Sequence, residues 1–155
     1  SSDNGTTWKV GEIIKSDELI NPSECSLSVT SDNKVIISIR NENGGRENNF
    51  RAFSISDNGY SNWGNVYFNK KMPDTICQGA MYTSNGNVYH LNCLTVNRKD
   101  LSIKISKDNF KTFSTILVDE IGGYSDFVVE NDIAYVLYES DPWVYGLKFK
   151  KINLK

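Results

Sequence analysis

Short apolar runs, rich in Val, Ile, Tyr and Phe, alternate along the whole chain with clusters of Asn, Asp and Gly. This pattern is typical of β-strands joined by tight turns. The segments 27–40, 80–94 and 126–139 each contain two such runs around a turn, which predicts a β-hairpin. A further run follows each of the first two hairpins, FRAFSIS (50–56) and LSIKIS (101–106), and predicts a third strand.

A polar turn and a fourth apolar run complete the first two repeats. The fourth runs are WGNVYFN (63–69) and FSTILV (113–118), whereas the third repeat ends with VYGLKFKKINL (144–154) and lacks a fourth strand. Four antiparallel strands per repeat indicate a propeller blade, so we predict an all-β fold with about three blades. Their predicted ranges are 18–70, 71–119 and 120–155, after a blade remnant at 1–17.

The turn before each fourth strand is a repeated motif. Its copies are SSDNGTTW (1–8), SDNGYSNW (56–63) and SKDNFKTF (106–113). They follow one another at about 50 residues, a spacing in the range of propeller blades. Since a short Asp side chain accepts hydrogen bonds from nearby backbone amides, we predict that Asp3, Asp57 and Asp108 form these turns. The third copy has Phe110 where the first has Gly5, which argues against a positive φ at that position.

Composition narrows the range of functions. The chain has 155 residues and a formal net charge of −2, typical of one globular domain without a nucleic-acid or membrane-surface partner. No apolar run reaches the length of about 18 residues that predicts a transmembrane segment. Cys25, Cys77 and Cys93 fit no disulfide framework or metal motif, and we expect them to be buried thiols. His90 lies in the middle of a predicted strand and is expected to be structural.

The predicted hairpins bring several reactive side chains to one edge of the blades. In an antiparallel blade, the first strand starts at the rim where the second strand ends, opposite the Asp turns. The residues at these positions are Glu24, Gln78 and Tyr124 before the first strands, and Arg40, Arg98 and Glu139 after the second strands. We expect them to converge near the propeller axis.

Two arginines that converge on one point favour a carboxylate ligand, because the planar guanidinium matches its two oxygens. A neutral phenol is a suitable nucleophile beside a bound anion, and with an ordinary pKa of about 10 it needs a base. Glu24 is the candidate base for Tyr124. Arg51 begins a strand on the same rim and rivals Arg40, whereas Arg46 lies in a polar loop and is expected to be solvated.

These segments resemble those of the sialidase (neuraminidase) family of six-bladed propellers. SSDNGTTW resembles the family's Asp-box. The other matching segments, in family order, are PSECS (22–26), IISIR (36–40), ICQGAM (76–81), LNCLTVNRKDLSIKIS (91–106), GGYSDF (122–127) and VLYES (136–140). In that family the first two carry the catalytic glutamate and the second arginine of a triad. The fourth carries the third arginine, the fifth the nucleophile, and the last a glutamate that orients an arginine.

The resemblance implies a role for each candidate residue. Tyr124 would be the nucleophile that forms a covalent glycosyl-enzyme, Glu24 its general base, Arg40 and Arg98 the ligands of the sialic acid carboxylate, Gln78 a sugar contact and Glu139 an orienting residue. The implied reaction is retaining hydrolysis of terminal α-linked sialic acid from glycoproteins, oligosaccharides or gangliosides. The implied partners are sialylated glycans, and we expect neither a metal nor another cofactor.

The family's first arginine and its acid/base aspartate have no match in this sequence. We therefore expect the chain to be the C-terminal half of a sialidase propeller, to need the N-terminal half as its partner and to be inactive alone. A secreted, lysosomal or membrane-associated location is favoured over a cytoplasmic one. Two other functions stay open: a lectin-like propeller, which would need the arginines but not Glu24 and Tyr124, and an unrelated Asp-box interaction propeller, which would not need paired rim arginines.

Overall fold

Consecutive strands pair into three antiparallel sheets in the computed structural model, which describes residues 1–45, 48–141 and 146–155. The first sheet comprises β1 (Ser23–Val29), β2 (Val35–Arg40), β3 (Phe50–Ser56) and β4 (Tyr67–Pro73). The second comprises β5 (Ala80–Ser84), β6 (Asn87–Thr95), β7 (Lys99–Ser106) and β8 (Ser114–Ile121). The third comprises β9 (Ser125–Glu130), β10 (Ile133–Asp141) and β11 (Gly146–Asn153). One 3₁₀ turn, Val96–Arg98, is the only helical element among the described residues, so the all-β prediction is confirmed.

Each sheet is a meander in which every strand pairs with its neighbours in sequence. The first strands of the sheets lie side by side, β1 next to β5 and β5 next to β9. Between β1 and β5, the Ser28 and Thr83 hydroxyls share a hydrogen bond of 2.6 Å, and the Met81 amide donates to Ser26 Oγ at 2.9 Å. The sheets are therefore arranged like propeller blades, with their first strands nearest the axis.

The predicted position of the fourth strand in the first sheet is wrong. The pattern predicted residues 63–69, but the strand begins at Tyr67 and ends at Pro73. Trp63 and Val66 pack instead against the apolar outer face of the first sheet. Their apolar side chains are needed there as a cover, which explains why they imitate a strand pattern. The third sheet has three strands as predicted, although residues 144–145 of its last predicted strand lie outside the described residues.

The first and third polar turns have the same hydrogen bonds. The Thr7 amide donates to Asp3 Oδ1 at 2.9 Å and its hydroxyl donates to Oδ2 at 2.6 Å. Thr112 makes the same two bonds to Asp108, at 2.9 and 2.6 Å. The predicted role of these two aspartates as turn formers is confirmed.

The second turn is built on Asn58, and the prediction that Asp57 forms it is wrong. Asn58 Oδ1 accepts the amides of Tyr60 and Ser61 at 2.9 and 2.8 Å. Asp57 instead points outward and forms an ion pair with Lys34 at 3.2 Å. Counted from the serine that opens each turn, Asn58 holds the place of the aspartate in the other two copies. An amide oxygen accepts backbone N–H groups as a carboxylate does, so the turn survives the exchange.

The prediction that Phe110 avoids a positive φ is also wrong, because its φ is 64°. The Phe110 amide donates to Ser106 Oγ at 2.9 Å, as the turn requires. The ring is 1% exposed and stacks on Phe53 with the ring centroids 5.6 Å apart. Burial of this large side chain therefore offsets the cost of the left-handed backbone.

Apolar side chains fill the space between the second and third sheets. They include Leu91, Leu101, Ile103, Phe127, Val129 and Val136. The other face of the third sheet is apolar but open, with Leu137, Leu147 and Phe149 exposed. In a propeller a further blade packs on such a face. The expectation of further blades remains a prediction.

The space between the first and second sheets has an apolar half and a polar half. Near the Asp turns it holds Ile36, Phe53, Val88 and Phe110. Towards the opposite rim it holds Ser38, Arg51, His90, Asn92 and Lys104, all of them buried. These positions alternate along β2, β3, β6 and β7, because side chains at every second residue share one face of a strand.

Hydrogen bonds in the polar half fix the protonation of His90. Lys104 Nζ donates to Asn92 Oδ1 at 2.5 Å, and His90 Nδ1 lies 3.1 Å from the same oxygen. Because this oxygen can only accept, Nδ1 carries the proton and Nε2 accepts from the Ser38 hydroxyl at 2.8 Å. Burial and the charges of Arg51 and Lys104 hold the pKa of His90 well below 6.5. His90 is therefore neutral and structural, as predicted.

Burial lowers the pKa of Lys104 to about 7, and in the unfolded chain it returns to about 10.4. Between these values the unfolded state binds more protons, so this group makes the free energy of unfolding rise with pH, by at most about 1.4 kcal/mol per pH unit. We expect Lys104→Met to remove that rise. Urea unfolding of both proteins from about pH 6 to about pH 10 measures it, and an equal slope in the two proteins would contradict the assignment.

The turn geometry predicts that substitutions of Asp108 and Asp57 have different effects on the Tm. Asp108→Ala removes both bonds to Thr112 and should lower the Tm clearly. Asp57→Ala removes only an exposed ion pair and should leave the Tm nearly unchanged. Thermal unfolding followed by circular dichroism compares the two variants with wild type. Equal shifts would show that the side-chain bonds of the turn contribute little.

Candidate active site

The six candidate residues lie at the rim where the first strands begin and the second strands end. Glu24 lies at the start of β1, Arg40 ends β2, Gln78 precedes β5, Arg98 ends the 3₁₀ turn after β6, Tyr124 precedes β9 and Glu139 lies near the end of β10. The meander topology of each sheet accounts for this placement, since every chain segment between a second and a third strand returns to the same rim.

Tyr124 and Glu24 come from the third and first sheets and are in direct contact. The Tyr124 hydroxyl donates a hydrogen bond to Glu24 Oε1. Arg40 Nη1 donates to the other carboxylate oxygen, Oε2, and lies 3.5 Å from the Tyr124 hydroxyl oxygen. A phenol, a carboxylate and a guanidinium thus meet at one point.

A bulge in β1 aims Glu24 at this point. Its φ is 41°, and the pairing of β1 with β2 shifts register between Ser23 and Ser26. A bulge bends the strand and turns a side chain out of the regular alternation. Cys25 lies on the same exposed face of β1 as Leu27 and Val29, so the prediction of a buried thiol is wrong there. Cys77 and Cys93 are buried as predicted.

The charge states of this pair follow from their contacts. Burial raises the pKa of Glu24, but the hydrogen bonds from Tyr124 and Arg40 and the charge of Arg40 outweigh it, so the net shift is downward. The hydrogen bond to Glu24, with burial and the carboxylate charge, raises the pKa of Tyr124. At neutral pH the pair is therefore a carboxylate that accepts from a neutral phenol, the arrangement in which a base is ready to remove the phenolic proton.

Arg98 lies over the ring of Tyr124. Its guanidinium carbon is 5.2 Å from the ring centroid, which is a cation–π contact. Nη1 is 3.6 Å from Glu139 Oε2. Asn97 and Arg98 both have left-handed backbones, with φ of 62° and 57°. The side chain that leaves this tight turn lies over Tyr124.

Two glycines shape the loop that carries Tyr124. The Tyr124 amide donates to Glu139 Oε2 at 2.9 Å, and the Glu139 amide donates to the Tyr124 carbonyl at 2.9 Å. A Cβ atom on Gly123 would lie 2.2 Å from that Oε2, and one on Gly122 would lie 2.8 Å from Leu101. Any side chain at residue 123 would displace Glu139 from the loop. Neither glycine was among the predicted site residues, although the pair stands directly before Tyr124 in the sequence.

Gln78 contacts the other side of the same loop. Its Oε1 accepts the amide of Ser125 at 3.1 Å. The structure therefore places Gln78 next to the Tyr124 loop, and a contact between Gln78 and a sugar remains a prediction.

Arg51 is not a ligand-binding rival of Arg40, and that alternative is wrong. Its side chain is fully buried and bonded to Ser38, Asp74 and the Cys77 carbonyl. Arg40 and Arg98 have side chains that are 16% and 29% exposed, so a solute can reach both. Arg46, expected to be solvated, lies outside the described residues.

The rim can bind an anion and accept a proton from a phenol. The two guanidiniums supply positive charge, Glu24 supplies the base, and Tyr124 is 41% exposed. Among residues 1–45, 48–141 and 146–155, no cluster of three or more His, Cys, Asp or Glu side chains is placed to hold a metal ion. The described part of the chain also has no helix of the length and apolarity needed to cross a membrane.

The contact between Glu24 and Tyr124 can be tested by titration. In Glu24→Gln the carboxylate that raises the pKa of Tyr124 is gone while both arginines remain, so we expect that pKa to fall. Tyrosine ¹³C chemical shifts followed over pH report it. Glu42→Gln is the matched control, because Glu42 lies 3.9 Å from Arg40 and has no bond to Tyr124 among the described contacts. An unchanged Tyr124 titration in Glu24→Gln would rule out the contact.

The chain is similar in structure to several known proteins. Three solved structures share the fold over 99% of the chain, and one is a Hadza microbial sialidase with 22% identity and a TM-score of 0.83, of which the chain covers 31%. Another is the intramolecular trans-sialidase from Ruminococcus gnavus with oseltamivir carboxylate, with 19% identity and a TM-score of 0.74, of which the chain covers 37%. The third is Trypanosoma rangeli sialidase with 2,3-difluorosialic acid, a covalent intermediate, with 18% identity and a TM-score of 0.71, of which the chain covers 26%. The chain thus spans well under half the length of each of these proteins. A comparison with curated protein sequences gives no match.

The family model of the BNR repeat-like domain matches residues 1–136. This match covers the three polar turns, the first two sheets, β9 and the start of β10 up to Val136. With its three antiparallel sheets and the fold of sialidase propellers, the chain belongs to the family of BNR repeat-like domains.

Proposed function

We propose that the protein is a retaining exo-α-sialidase, to which this chain contributes the nucleophile Tyr124, its base Glu24 and the carboxylate ligands Arg40 and Arg98. The observation that carries the proposal is the hydrogen bond from the Tyr124 hydroxyl to Glu24, flanked by the two guanidiniums. A site that only bound an anion would need the arginines alone.

Substrate binding begins with charge. The carboxylate of a terminal sialic acid would bind between Arg40 and Arg98, in a rim that is open on that side. An anionic nucleophile would be repelled by this carboxylate. Tyr124 is neutral in the resting state, so it approaches without that repulsion.

In the first step Tyr124 Oη bonds to the anomeric carbon while its proton passes to Glu24 Oε1. The bond from that carbon to the leaving oxygen breaks, and the leaving oxygen takes a proton from an acid that the sequence resemblance assigns to a part of the protein outside these residues. In the second step water attacks the anomeric carbon and gives up a proton to the conjugate base of that same acid. The phenol oxygen leaves, and Glu24 returns the proton to it. Two inversions give net retention of configuration.

The arginines also assist the departure of the phenol. Arg40 Nη1 lies 3.5 Å from the Tyr124 oxygen, and Arg98 lies over the ring. Both would stabilise negative charge that develops on the phenol as the glycosyl bond breaks. The covalent intermediate of Trypanosoma rangeli sialidase supports such a two-step route for a protein of this fold.

The decisive experiment is hydrolysis of a fluorogenic aryl α-sialoside by the protein at its full length. We expect Tyr124→Phe to lower kcat by more than about a hundredfold, because the bond-forming oxygen is gone, while sialic acid still binds. Glu24→Gln should lower kcat by about a hundredfold or more, since general base catalysis has that size. Tyr60→Phe, in the Asp turn of the opposite rim, is the matched control and should keep full activity.

Other results would replace the proposal. If wild type binds sialic acid and never turns over, the lectin-like reading takes its place. If wild type does neither, an interaction propeller of another kind is favoured. Product analysis separates hydrolysis, which releases free sialic acid, from an intramolecular transfer, the reaction named for the Ruminococcus gnavus protein. Measurable turnover by residues 1–155 alone would overturn the expectation that this chain is inactive by itself.

A further inference from the structure

Arg51 is the largest fully buried side chain of the polar half between the first and second sheets, and it reaches no solvent. Its Nη1 donates to Asp74 Oδ2 at 3.1 Å and to the Cys77 carbonyl at 2.8 Å, and its Nε donates to Ser38 Oγ at 2.8 Å. A buried ion pair of this kind contributes little net stability, because desolvation of both charges offsets their attraction. The Arg51–Asp74 ion pair therefore needs an explanation other than stability.

The partner of Arg51 holds a strained segment. Ile76 has a φ of 55°, a left-handed conformation that a β-branched residue rarely adopts. Asp74 Oδ1 accepts the amides of Ile76 and Cys77 at 3.0 and 3.5 Å. Strain of this size persists only where the surroundings over-determine the backbone. Here Arg51 and Asp74 hold the segment from both ends, through the Cys77 carbonyl and through the two amides.

The backbone directly after this segment also lies against Arg51. A Cβ atom on Gly79 would be 3.0 Å from Arg51 Nη2 and 2.9 Å from His90 Cε1. Gly79 therefore lets the chain pass in contact with both buried side chains. The residue between the strained segment and this contact is Gln78, whose Oε1 accepts the Ser125 amide.

We propose that Arg51 is a positioning residue for the nucleophile loop. It fixes residues 74–79, these fix Gln78, and Gln78 holds the Ser125 amide next to Tyr124. Glu139 holds the Tyr124 amide from the other side, so the nucleophile is fixed by two neighbouring amides bonded to two different sheets. The catalytic meaning of this arrangement rests on the proposed function, whereas the chain of contacts does not.

The planar fork explains why an arginine serves here. The guanidinium donates in fixed directions, from Nε to Ser38 on β2 and from Nη1 to Asp74 and the Cys77 carbonyl in the segment before β5. A lysine keeps the charge but has a single nitrogen on a flexible stem. Lys104 shows that the same layer accommodates a buried lysine side chain.

The test is Arg51→Lys in the protein at its full length, with amide hydrogen exchange as the readout that needs no substrate. We expect faster exchange of the Ser125 and Cys77 amides. The Gly122 amide, bonded to the Arg98 carbonyl at 3.0 Å, should exchange as in wild type. In the sialoside assay we expect kcat to fall about ten- to a hundredfold, because small misplacement of a nucleophile has effects of this order. The Kd for sialic acid should stay within about twofold, since Arg40 and Arg98 are intact.

Lys104→Met is the matched control, because Lys104 is buried in the same layer and bonds to Asn92 and Ser102 but not to residues 74–79. It should leave Ser125 exchange and kcat unchanged. If Arg51→Lys fails to fold, Gln78→Met tests the last link in the chain of contacts. Gln78 is partly exposed, and the substitution should speed exchange of the Ser125 amide because it removes the acceptor of that amide. The proposal is overturned if Ser125 exchange is unchanged in the folded variants, or if Lys104→Met raises it equally. Faster Ser125 exchange in a protein without sialidase activity would keep the positioning role and refute the proposed function.

Discussion

The hydrogen bond between Tyr124 and Glu24 joins the third sheet to the first, and the second sheet stands between them. Its geometry therefore depends on the widths of two spaces between sheets. One is filled by apolar side chains such as Leu101 and Phe127. The other is apolar near the Asp turns and polar near the site. Because protein interiors are close-packed, neither width can change without displacing the site.

The space between the first and second sheets has an apolar half and a polar half, and the two halves suit different tasks. Apolar side chains contribute free energy of burial but tolerate repacking, since dispersion and the hydrophobic effect have no preferred direction. Hydrogen bonds are directional, and the path from Arg51 through Ser38 to His90 and Asn92 has one consistent set of donors and acceptors. The directional half lies beneath the reactive side chains, where orientation counts most.

Much of the architecture could be predicted from the sequence because strand and turn signals are local. The hairpins, the third strands and the rim positions of Arg40 and Tyr124 follow from runs of a few residues. The errors have tertiary causes. Trp63 and Val66 have a strand pattern but cover a sheet face, and Phe110 accepts a left-handed backbone because its ring is needed in the core. Arg51 has the rim position of a ligand-binding residue, and only the packing of β3 against the second sheet shows that it points inward.

The meander topology also has a consequence for the order of folding. Every strand pair joins neighbours in sequence, so each sheet can form from local contacts with little loop-closure entropy. The Tyr124–Glu24 contact spans 100 residues and requires all three sheets to be in place. We expect the sheets to form first and the site last. Partly folded forms would then carry native-like strands and a separated nucleophile and base, so secondary structure alone is a poor measure of whether the site has assembled.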